Sequence, residues 1–105
     1  MILLQIIEKP GIKLHKKLVE AMRSGELKTL IVQKKGQKIT HTNPGYPGWI
    51  NISSSKGSIN CEVLSPNKPG EEWKIFSAFV GRLCHKYSDE IHSINVQFMK
   101  APKKY

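Results

Sequence analysis

Residues 49–65 read WINISSSKGSINCEVLS, and apolar and polar residues alternate along them. Ile50 and Ile52 fall on one side of an extended chain, with Asn51 and Ser53 on the other. After SSKG at 54–57, Ile59, Cys61 and Val63 again share a side, opposite Ser58, Asn60 and Glu62. A period of two around a Gly-containing break marks two antiparallel strands joined by a short turn, one face apolar and one polar. The apolar face must be buried against another layer of the same chain.

Upstream, HTNPGYPGWI (41–50) is a connection in which Pro presets φ and Gly supplies positive φ. Trp49 is expected to turn inward or to cover this loop, although strict alternation points it away from Ile50. LKTLIVQ (27–33) and KITHT (38–42) read as strands around the turn KKGQ (34–37). The apolar run at 2–7 reads as a strand buried on both faces, hence central in a sheet. Downstream, SINVQFM (93–99) alternates again, with Ile94, Val96 and Phe98 expected inward.

Two segments carry the other period. In IKLHKKLVEAMRS (12–24), Leu14, Leu18, Ala21 and Met22 share one helical face, and Gly25 is a left-handed stop. From Glu71 onward, Trp73, Phe76, Val80, Leu83, Tyr87 and Ile91 recur at steps of three and four, widened by Phe79 and Cys84. Glu71 and Glu72 complement the dipole at the start of that helix. Gly81 costs a helix about 1 kcal/mol relative to Ala, which points to close packing there.

The order β-α-β-β-β-β-α-β predicts an α+β two-layer sandwich: a mostly antiparallel sheet of five to six strands with two helices on one face. Residues 1–99 form a single domain and 100–105 a basic tail. The opposite sheet face then carries Lys38, Thr40, Thr42, Asn51, Ser53, Ser58, Asn60, Glu62, Ser93, Asn95 and Gln97.

Charge is the strongest compositional deviation, at +9 over 105 residues. It is uneven. Residues 1–43 hold nine Lys and Arg against three acids, whereas residues 44–99 hold five of each. Such a field attracts polyanions. The expected contacts are Lys13, Lys16, Lys17 and Arg23 on the polar face of the first helix, and Lys34, Lys35 and Lys38 around the KKGQ turn. Tyr46 and Trp49 are the candidates for stacking on unpaired bases, where each stacked base adds ~1–3 kcal/mol. No RRM, KH, zinc-finger or helix-turn-helix pattern accompanies these residues, and the amide-rich sheet face lacks the aromatics of an RNA-recognition sheet.

Other chemistries lack an anchor. His15, His41, His85 and His92, with Cys61 and Cys84, show no paired metal-ligand spacing, so no metal or cofactor is expected. There is no nucleophile elbow, P-loop or dinucleotide fingerprint, and the adjacent Cys84 and His85 splay apart on a helix. Both cysteines are expected as free thiols. MILLQII is too short to span a membrane and lacks the basic leader and cleavage site of a signal peptide, which predicts a cytoplasmic protein. The expected function is a small non-enzymatic protein that binds RNA or DNA. The alternative is a protein-interaction module of inhibitor, immunity or adaptor type, with an acidic partner or with itself as a homodimer.

Overall fold

The structure, a computed structural model, describes residues 1–100, without the side chain of Lys34. Its elements are β1 (Ile2–Glu8), α1 (Leu14–Arg23), β2 (Leu30–Gln33), a 3-10 turn (Lys34–Gly36), β3 (Lys38–His41), β4 (Trp49–Ser55), β5 (Ser58–Leu64), α2 (Glu72–Lys86) and β6 (Ile91–Phe98). They form one sheet in the order β2-β3-β4-β5-β1-β6, and every neighbouring pair is antiparallel. The α+β sandwich and its element order are therefore as the sequence predicts. Of the basic tail, Lys100 is exposed, and residues 101–105 lie outside the described residues.

The period-two pattern explains the register. Ile50 pairs with Val63 and Ile52 with Cys61 between β4 and β5. The same residues continue the row into β1, where Ile2 faces Val63, Leu4 faces Cys61 and Ile6 faces Ile59. All of these side chains are buried under α1 and α2, together with Leu14, Leu18, Ile75, Phe79 and Leu83. Full burial of each such aliphatic or aromatic side chain stabilises the fold by about 1.5–3 kcal/mol. Cys61 belongs to this core, and burial pushes its thiol up to about 12, so it packs rather than reacts.

Several sequence expectations shift. The buried stripe of α2 is Glu72, Ile75, Phe79 and Leu83, not one centred on Trp73 and Phe76. The apolar arc of the helix is wide, and the sheet takes the part of it that runs through Ile75, Phe79 and Leu83. Phe76 and Val80 flank it, while Trp73 stays 57% exposed. The helix also ends at Lys86, so Ile91 belongs to β6. Gly81 does not mark close packing: a Cβ there would meet nothing within 4 Å. Ile94, Val96 and Phe98 do face the helix layer, but β6 is the sheet edge, and Phe98 is left 77% exposed.

The connection before β4 is tightly specified. The Asn43 side chain accepts from Gly45 N–H at 2.8 Å, and Tyr46 N–H donates to the Asn43 carbonyl at 3.0 Å. At Gly48, φ is +88°, and a Cβ would collide with the Leu64 carbonyl oxygen. Only glycine fits this approach of loop to strand. Trp49 follows the alternation rather than turning inward: it pairs with Leu64 on the face opposite the helices and is half-buried.

Candidate functional site

The first helix begins without a side-chain cap of its own. Lys13 sits in the left-handed region (φ 54°), and no acid occupies the first turn. Glu8, at the end of β1, replaces the cap: its Oε2 accepts the Leu14 N–H at 2.7 Å. A bulge makes this possible. The β1–β6 register shifts between Ile7 and Glu8, so that Glu8 stands opposite Ile91. Glu8 N–H also donates to the Gly57 carbonyl at 3.2 Å, which ties the β4–β5 hairpin tip to the start of α1.

His15 completes the junction. Its Nε2 lies 2.9 Å from the Gly36 carbonyl oxygen and its Nδ1 3.0 Å from Ser54 Oγ. A carbonyl only accepts, so Nε2 carries a proton, and in the neutral ring Nδ1 accepts from the serine hydroxyl. One imidazole thereby links α1, the 3-10 turn and β4. Gly36 is buried against α1, where a Cβ would lie 3.0 Å from Val19 Cγ2.

These links bring together side chains that are distant in sequence. A groove of about 670 Å³ is lined by Lys13 at the N-terminal cap of α1, Lys16 and Arg23 within α1, Lys35 from the 3-10 turn and Lys56 from the hairpin tip. Two carboxylates, Glu8 and Glu20, line it as well. Among the described residues the ion pairs are Lys17–Glu90 (3.4 Å) and Lys74–Glu71 (2.6 Å), so no groove cation is paired with a carboxylate. Glu8 is already engaged by the backbone of α1. The groove is therefore a cationic concavity with its ammonium and guanidinium groups free to meet an anion.

Other sequence candidates lie elsewhere. Lys17 points to the far side of α1, toward Glu90. Lys38 lies on the open sheet face, with its Nζ 4.6 Å from the ring centroid of Trp49, in a depression shared with Asn51, Asn60 and Glu62. Tyr46 stacks on His41 (centroids 4.0 Å apart, planes 10° apart) beside Trp73 and Lys74 of α2. The side chain of Lys34 lies outside the described residues. The structure thus gathers Lys13, Lys16, Arg23 and Lys35, separates them from Lys17, Lys38, Tyr46 and Trp49, and adds Lys56 and His15. Lys56 carries a sequence signal only as the charged residue of a hairpin turn.

Among the described residues, no group of three His, Cys, Asp or Glu side chains is placed to hold a metal ion. No helix of the described residues is long and apolar enough to cross a membrane. No protein-family model, curated protein or solved structure matches the chain.

Proposed function

We propose that this protein binds the phosphate backbone of RNA or DNA in the groove between α1, the 3-10 turn and the β4–β5 hairpin, without catalysing a reaction. The observation that carries this reading is the convergence of five cations from three elements on one groove, none of them paired with a carboxylate among the described residues. Each lysine or arginine that meets a phosphate releases condensed counterions, which is the main source of sequence-independent affinity. Among the described residues, no Phe, Tyr or Trp lines this groove. The recognition is accordingly of backbone charge and not of stacked bases, which is the division of labour expected when phosphate contacts position a strand.

The test is a salt titration of binding to single-stranded and duplex oligonucleotides, comparing the wild type with a Lys35→Ser/Lys56→Ser variant. The log–log slope is steep for the wild type and shallower in the variant by about 1.4 for single strands, at ~0.7 per lost phosphate contact. A Trp49→Ala variant binds as the wild type does. An unchanged slope in the double variant contradicts the reading.

A further inference from the structure

The two sheet edges differ in a way that bears on assembly. β2 is a four-residue strand followed by the lysine turn, and short, lysine-flanked edges resist pairing with other chains. β6 has eight residues, IHSINVQF, with no Lys, Arg, Asp, Glu or Pro. Its main-chain groups are accounted for on one side only. Met1 and Met99 exchange both of their hydrogen bonds, at 3.2 and 2.9 Å. In an antiparallel ladder such exchanging pairs alternate, so Ser93, Asn95 and Gln97 also turn their N–H and C=O groups toward β1. The groups of Ile94, Val96 and Phe98 therefore point away from the sheet, with no strand beyond them among the described residues.

We infer that β6 pairs antiparallel with β6 of a second copy, continuing the sheet across a twofold axis at Val96. In this register Val96 lies opposite its own copy and Ile94 opposite Phe98 of the second copy. These are the residues whose main-chain groups are free, so each pair exchanges both hydrogen bonds. A twofold axis normal to the sheet keeps the helix layers on the same side. Ile94, Val96 and Phe98 then meet their apolar counterparts, while Asn95 meets Gln97 of the second copy on the amide face. Both faces match at once, which is the self-complementarity an isologous contact requires. The apolar side is extended by Phe76, whose ring packs edge-on against Phe98 at 6.5 Å. Charge favours the same site. Each copy carries +9, and residues 94–98 hold no titratable side chain, so the two copies pair along this stretch without setting like charges opposite each other.

Sedimentation equilibrium and amide exchange test this together. The wild type sediments at twice the chain mass, and the Ile94, Val96 and Phe98 amides are protected along with Ser93, Asn95 and Gln97. Val96→Pro removes only an outward N–H, a position where an edge strand tolerates proline. It sediments as a monomer with unchanged far-UV dichroism, and its Ile94 and Phe98 amides exchange freely. Phe98→Lys, at an exposed position, likewise yields a monomer. Salt tightens the dimer, because screening weakens the repulsion between two basic copies; it weakens oligonucleotide binding, so failure of one reading is distinguishable from failure of the other. A monomeric wild type with freely exchanging Ile94, Val96 and Phe98 amides, a dimer that survives Val96→Pro, or occupation of this edge only by a strand of a different protein would overturn the inference.

Discussion

Two glycines separate backbone need from helix propensity at single positions. Gly48 has positive φ and no room for a Cβ, so Gly48→Ala destabilises by at least ~2 kcal/mol, read from denaturant unfolding. Gly81 lies in the exposed face of α2 with open space around it, so Gly81→Ala stabilises by about 1 kcal/mol in the same measurement. His41 makes the fold sensitive to acid. Its Nδ1 accepts the Asn43 N–H at 2.9 Å, which requires that nitrogen to be unprotonated. Burial first, and the nearby Arg82 second, lower its pKa from the ordinary 6.5. The unfolded chain therefore takes up this proton first as the pH falls. The stability held above 6.5 is lost on acidification through the depressed folded value. His41→Gln removes that part of the acid sensitivity, measured as the melting temperature against pH.

Elements show which patterns a sequence exposes. The alternation of Ile50, Ile52, Ile59, Cys61 and Val63 specifies a sheet face, because a slip of one residue would turn the whole row to water. Trp49 obeys the same alternation, and the Pro-Gly turns before it hide the point where the strand begins. The stripe of α2 is legible as helical but not in its rotation, since Trp73, Phe76 and Val80 continue the apolar arc beyond Ile75, Phe79 and Leu83. The cationic face of α1 is legible from the 3.6 period. Its meeting with Lys56 is not, because that depends on Glu8 and His15 bridging elements far apart in sequence. His15→Ala tests this joint. Losing both hydrogen bonds costs about 1–3 kcal/mol, and the loosened groove binds oligonucleotides more weakly. The salt slope stays unchanged, because every cation remains.

At the scale of the whole molecule, the strand order distributes the charge. Gly36 and Gln37 lie between Lys35, which lines the groove, and Lys38, which belongs to the opposite sheet face. The lysine turn thus serves two surfaces, although its residues are neighbours in sequence. The same order leaves β6 at an edge, so residues with a core-like alternation remain exposed there. Alternation reports which face a side chain takes; it does not report how far that face is covered, which is set by long-range pairing. The proposed polyanion site is one cationic groove, and not the amide-rich sheet face or the Tyr46 loop. Its most direct test is an amide chemical-shift map during titration with a single-stranded oligonucleotide. Shifts confined to residues 13–23, 35–37 and 54–57 are expected. Shifts centred on Lys38, Asn51 and Trp49, or none at a saturating concentration, would contradict it.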